Sequence, residues 1–219
     1  MKKQEEKTSA IQFHITHGCV VNGFLETRIT PEKLDQLFSK SNQLKDFGEY
    51  KDEFDSEDQF TEHYMELIID FLHDWVEEDL ESILDQELRM VVNDIREYYD
   101  VDEWDVVGGE HILSGEIPFL KEYLSNIYNG VHIGQEDIYF DIDIFQKAYV
   151  TVETIIEDKE CFNYSSPDDL IEAKVDQPFQ ELVNTGGDDG DILTFYSVDV
   201  DEVDGEVEDL ERFFDTFID

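Results

Sequence analysis

From Phe60 onward, apolar residues in "QFTEHYMELIIDFLHDW" return every three or four places, at Phe60, Tyr64, Leu67, Ile68, Phe71 and Trp75. That period predicts a helix with one buried face. Ser56, three residues ahead of Gln59, supplies a capping-box start. After about Val76 the apolar set shifts, and Leu80, Leu84, Leu88, Val91 and Ile95 fall on nearly the opposite side of one straight helix. The pattern therefore predicts two helices, broken near "WVEED". Nearer the N-terminus, Ile11, Phe13 and Ile15 alternate in "AIQFHITHGCVVNGFLETRI". This predicts a β-hairpin, turning at either His17-Gly18 or Asn22-Gly23. Thr30 before Pro31 caps a short helix running to about Leu44.

Beyond Asp100 the period changes. "DIYFDIDIF" and "AYVTVETII" alternate as half-buried strands do, leaving Asp141, Asp143 and Glu153 for solvent faces. "DILTFYSVDVDEV" reads as a further strand. Ser166-Pro167 caps a short helix. "EVEDLERFFDTFID" closes the chain as an amphipathic helix with Val207, Leu210, Phe213, Phe214 and Phe217 inward. Strands and helices are segregated, which predicts an α+β fold with antiparallel sheet over a doubly wound one. The polar stretch "KDFGEYKDEFDSED" divides residues 1–50, a hairpin-plus-helix unit, from an acidic α+β region at 51–219. The two are separate units or one continuous domain.

Charge changes this picture. The 219 residues carry 15 Lys and Arg against 57 Asp and Glu, a net charge of −42. The first fifty balance acid against base, so residues 51–219 hold the whole excess. At 40% hydrophobic and 13% aromatic content the chain is expected to fold rather than stay disordered. A polyanion argues against nucleic acid or an anionic membrane as direct ligand, and favours a basic partner or a cation. Salt adaptation fits poorly with the neutral first quarter and with only three alanines. The two cysteines, Cys19 and Cys161, suit a reducing compartment. "MKKQEEKTSA" leads into no long apolar run, and no membrane span is evident, so a cytoplasmic location is expected.

Candidate chemistry is sparse. "PDDLIEAK" superficially resembles a metal-nuclease signature through Asp168, Glu172 and Lys174, but the run reads as one capped surface helix. "DVDEVDGEVEDLE" aligns Gly205, Asp204 and Glu211 with a calcium loop, yet Val200 stands where the first coordinating Asp belongs. A strand–turn–helix junction with Asp204 as N-cap is preferred. "GGDDGD" at 186–191 reads as a solvated turn. His14, His17 and Cys19 lack a fourth zinc ligand and sit in the expected hairpin. Phosphate-binding and dinucleotide glycine motifs and hydrolase nucleophile motifs are absent. The expectation is a non-enzyme that needs no cofactor or metal.

One feature stands out instead. Asp58, Glu62, Glu66, Asp70, Asp74 and Glu78 recur every fourth residue, with no Lys or Arg anywhere in residues 57–81. Successive members stand ~6 Å apart along a helix axis. Like charges at this spacing cost a few tenths of a kcal/mol per pair, roughly. The plain alternative is a solvated helix face. Further acids on other elements weigh against it: Glu208, Glu211 and Asp215 on the last helix, and Asp199 and Asp201 on the strand before it. With Asp141 and Asp143 these predict an extended negative surface. At one charge per ~1.7 Å of duplex axis, the net charge matches roughly 70 Å of DNA.

In size, acidity and lack of catalytic motifs, residues 51–219 resemble the DNA-mimic inhibitors of phages and mobile elements. Those proteins block restriction enzymes, CRISPR effectors, DNA glycosylases or nucleoid proteins. The resemblance is one of class; no family motif is matched, so no family residue is carried over. It implies a basic nucleic-acid-binding protein of the host as partner, and the host cytoplasm as location if phage-encoded. An immunity protein neutralising a basic nuclease toxin is the alternative, and a metal-dependent nuclease or cation-binding module is the third. The neutral first fifty residues are left as scaffold, homodimer contact or target-specific contact.

Overall fold

The segment expected to fold back as a hairpin runs straight. In the computed structural model, which describes residues 10–131, 138–177 and 187–218, Gln12–Ile29 form a single 18-residue strand, β1. Its alternation continues through both expected turns: Phe13, Ile15, His17, Cys19, Val21, Leu25, Thr27 and Ile29 are all buried. The turn signals lose because both edges of β1 find partners. Phe140–Glu157 (β3) pairs antiparallel along its whole length, and Ile192–Gly205 (β5) pairs on the other side. The two runs read as separate strands, "DIYFDIDIF" and "AYVTVETII", are thus one.

Asp100–Ser114 (β2) borders β3, and Gly187–Asp189 (β4) borders β5, giving the sheet order β2-β3-β1-β5-β4 with every neighbour antiparallel. The neutral N-terminal segment is therefore the middle of a sheet whose other strands come from the acidic region.

Helices cover one face of this sheet. Pro31–Lys40 (α1) begins as expected, with Thr30 Oγ1 accepting from the Lys33 N–H, but stops a turn before Leu44. Ser41 Oγ there accepts from the N–H groups of Gln43 and Leu44. Glu57–Trp75 (α2) starts at Ser56, whose hydroxyl accepts from the Gln59 N–H, while the Gln59 side chain accepts from the Asp55 N–H.

The expected break near "WVEED" is not a break. Val76–Leu80 form a π turn in which the Glu81 N–H donates to the Val76 carbonyl, and the helix continues as Glu81–Tyr98 (α3). The buried positions explain it: Phe60, Tyr64, Ile68, Leu72, Val76, Leu80, Leu84, Leu88 and Val92 are spaced by four without interruption. In an α-helix such a row advances about 40° each turn. The wider turn takes up an extra residue and rotates the row back toward the sheet. Leu67 is exposed, and Phe71, Trp75 and Val91 are only half-buried.

Glu116–Asn129 (α4) packs against α2. Its start and end are both glycines in the left-handed region, Gly115 (φ 88) and Gly130 (φ 67). The main core joins β1, β3 and helices α1–α4. A second cluster covers the other end of the same sheet face. There Phe13, Ile15 and Ile156 meet Cys161 of Asp158–Cys161 (α5), Leu170 of Pro167–Ile171 (α6), and Leu210, Phe213 and Phe214 of Val207–Phe217 (α7). Phe217, expected inward, is exposed. The fold is α+β, with an antiparallel sheet, a long acidic helical segment and a C-terminal amphipathic helix.

Candidate functional site

The acidic row and the buried row of α2 have the same spacing of four and are offset by two residues, about 200° of helix rotation. At every level, therefore, the carboxylate points away from the core. Asp58, Glu62, Glu66, Asp70, Asp74 and Glu78 are all exposed. The row continues into the π turn with Glu78 and ends there, since Ser82 and Gln86 take the next places. It spans about 30 Å.

Among the described residues none of the six enters an ion pair. Glu57 beside them is different. It accepts from Ser125 Oγ at 2.5 Å and from Asn129 Nδ2 at 3.0 Å, tying α2 to α4, and these bonds hold its carboxyl below the usual range. A groove of about 520 Å³ runs beside the N-terminal half of the row, lined by Met65 and Ile69 together with Asp58, Glu62, Glu66 and Lys121. Apolar surface flanked by carboxylates suits the aliphatic stem and cationic head of Arg or Lys.

The other predicted acids do not extend this row into one surface. Glu208, Glu211 and Asp215 are exposed on α7, on the helical side but at the opposite end of the sheet. Asp141, Asp143 and Asp199 lie on the uncovered sheet face, because they occupy the strand positions that alternate with the buried ones. Asp141 is held by Arg28 Nε at 3.0 Å, and Asp199 accepts from Asn22 Nδ2 at 2.8 Å. Partial burial, with Asp141 two residues away, pushes the Asp143 carboxyl upward. Asp201 falls where the β1–β5 register shifts, and its side chain lies outside the described residues. The expected extended surface is therefore divided between two sides of the sheet.

The catalytic and metal candidates are not brought together either. Lys174 Nζ sits 2.6 Å from Glu160 Oε1, an ion pair that raises the lysine and lowers the glutamate, and it lies in a second π turn, Glu172–Asp176. Asp204 does not cap α7: its carboxylate accepts from the Gly205 N–H at 2.7 Å, and Glu206 holds the cap position. His14 faces the open side and meets Glu153 at 2.6 Å, whereas His17 and Cys19 face the covered side. No group of three or more His, Cys, Asp or Glu among the described residues is placed to hold a metal ion. No described helix is long and apolar enough to cross a membrane.

Sequence reasoning missed two features. His17 is fully buried between the two apolar clusters, with neither ring nitrogen hydrogen-bonded, and burial lowers its pKa to about 4. Phe24, Phe145 and Phe195 form a row across three strands on the uncovered face. The signal was present, since Phe145 follows Asp141 and Asp143 at intervals of two, but a phenylalanine reads as core. Comparison with protein-family models, with curated proteins and with solved structures gives no match.

Proposed function

We propose that this chain is a non-enzymatic acidic protein that imitates nucleic acid and occupies the nucleic-acid groove of a basic host protein. The class of target is a defence protein such as a restriction enzyme, a CRISPR effector or another DNA-binding nuclease. The observation that carries the reading is the row from Asp58 to Glu78: six exposed carboxylates, unpaired, in register on one continuous helix.

The physical case rests on relief of repulsion. Carboxylates ~6 Å apart along the helix are on the scale of neighbouring phosphates along one strand. Within the free protein each adjacent pair is unfavourable by a few tenths of a kcal/mol, roughly. Among the described residues no ion pair to Lys or Arg offsets it, although Lys121 stands beside the N-terminal half. A groove lined by Arg and Lys offsets it on contact, so the row is more favourable bound than free. Complementary charge also accelerates encounter, an effect screened over ~8 Å at physiological ionic strength.

Competition on purified target tests this. Labelled duplex, or guide RNA for a CRISPR effector, should be displaced by the protein, and the displacement should weaken steeply as salt rises. Equal binding to a target already loaded with nucleic acid would sink the reading.

A further inference from the structure

The uncovered face of the sheet carries an aromatic row that nothing in the fold requires. Phe24 of β1 lies between Phe145 of β3, with ring centroids 4.9 Å apart, and Phe195 of β5, at 6.1 Å. All three belong to one rung of the ladder, since Phe24 is paired with Phe145 on one side and with Phe195 on the other. Phe145 is 42% exposed and Phe195 49%, and Tyr149, two positions along β3, is 47% exposed. Aromatic side chains clustered in solvent on a folded domain mark a contact surface.

Charge around the rings selects the occupant. Within two rungs on the same face stand Glu26, Asp105, Glu110, Asp141, Asp143 and Asp199, against Lys147 and Arg28, and Arg28 is already paired with Asp141. A second copy would bring the same carboxylates and a net charge of −42 with it. A partner whose apolar residues are flanked by arginine meets both features. Guanidinium groups stack on ring faces and pair with carboxylates, which lysine does less well.

We propose that this sheet face is a second docking surface, and that it takes an arginine-rich, apolar-containing segment of a protein partner. It stands apart from the helix row, which lies on the other side of the sheet, and does not depend on the mimic reading.

The test uses the full chain and two synthetic peptides of equal charge, one alternating Arg with Leu and one alternating Arg with Ser. The Arg–Leu peptide should bind about tenfold tighter or more, the margin expected for anchoring on exposed rings. Phe145→Thr with Phe195→Thr keeps strand-compatible residues at exposed positions and should reduce that ratio to near one. Phe195→Thr alone, the milder change, should reduce it partly. Asp168→Lys with Glu172→Lys, both exposed and away from the open face of the sheet, should leave the ratio intact even if both peptides weaken. A ratio near one in the unaltered protein, or a ratio unmoved by the phenylalanine variants, overturns the proposal. So does sedimentation showing a dimer that these variants dissolve, which would make a second copy the occupant.

Discussion

Leu88 Cδ2 lies 3.0 Å from the point that a Cβ on Gly23 would occupy, and Leu84 Cδ1 lies 3.1 Å from it. The middle of β1 and the first half of α3 therefore touch at a residue with no side chain. Gly23 is where the long helix packs directly onto β1, not the turn residue its neighbour Asn22 suggests. Gly23→Val should push the helix outward and destabilise the fold by about 1–3 kcal/mol, the usual cost of overpacking a core. Thermal melting would show a fall of several degrees, and a variant melting with the unaltered protein would mean that this contact is slack.

Reversing Glu62, Glu66 and Asp70 to lysine should leave the fold intact, because all three are exposed and opposite Phe60, Tyr64 and Ile68. The melting temperature should hold or rise as repulsion along the helix falls. Displacement of nucleic acid from a basic target should drop by at least about tenfold, since like charge across an interface costs several kcal/mol in total. The same number of reversals at Asp168, Asp169 and Glu172 is the control. A full-strength helix variant beside a failed control would move the functional surface away from α2.

His17 predicts a pH dependence with a definite sign. Its folded pKa of about 4 lies below the ordinary 6.5, so the unfolded chain takes up the proton first as pH falls. Stability is complete above pH 6.5 and declines between 6.5 and 4, by about 3 kcal/mol for a shift of this size. Carboxylates titrate in the same range, so the comparison that matters is with His17→Leu. Denaturant unfolding at pH 7 and pH 4.5 should show the unaltered protein losing more stability than the variant. Parallel losses would mean that this histidine is hydrated.

Incubation with plasmid or RNA in Mg²⁺ or Mn²⁺ should leave both intact. Lys174 is bound to Glu160, and Asp168 is on a short surface helix capped by Ser166. Lys174→Ala should cost the contact with Glu160 and nothing catalytic. Cleavage that this substitution abolishes would promote the nuclease reading instead.

Capping chemistry and helical period are local, and these were legible: Thr30, Ser56 and Ser166 each start a helix where the sequence predicts. What the sequence misreads depends on distant partners. His17-Gly18 and Asn22-Gly23 carry turn signals that lose to pairing with strands more than a hundred residues away. β2 escaped notice because register shifts near Val101 and Val107 break its alternation. α4 escaped because Gly115, not Ser or Asp, stands at its start. The six acids from Asp58 to Glu78 were legible as a row because helix geometry alone orders them. The division of the remaining acids between two sides required the strand pairing. The aromatic row required it too, since Phe24 and Phe195 are 171 positions apart in sequence.

The central place of β1 also sets an order of events during synthesis. Of the strands in this sheet β1 leaves the ribosome before the others, yet its two partners end at Glu157 and Gly205. At typical elongation rates that delay is on the order of ten seconds or more. Meanwhile the helix from Glu57 to Tyr98 can form from local contacts, and its apolar stripe can cover that of β1 before either partner strand is made. The nascent chain thus exposes unpaired strand edges before its partners are made, and the exposed carboxylates between Asp58 and Glu78, already present by then, favour its solubility. A protein with this topology should be sensitive to C-terminal truncation out of proportion to the residues lost: a chain stopped before Ile192 leaves the first-made strand with a bare edge.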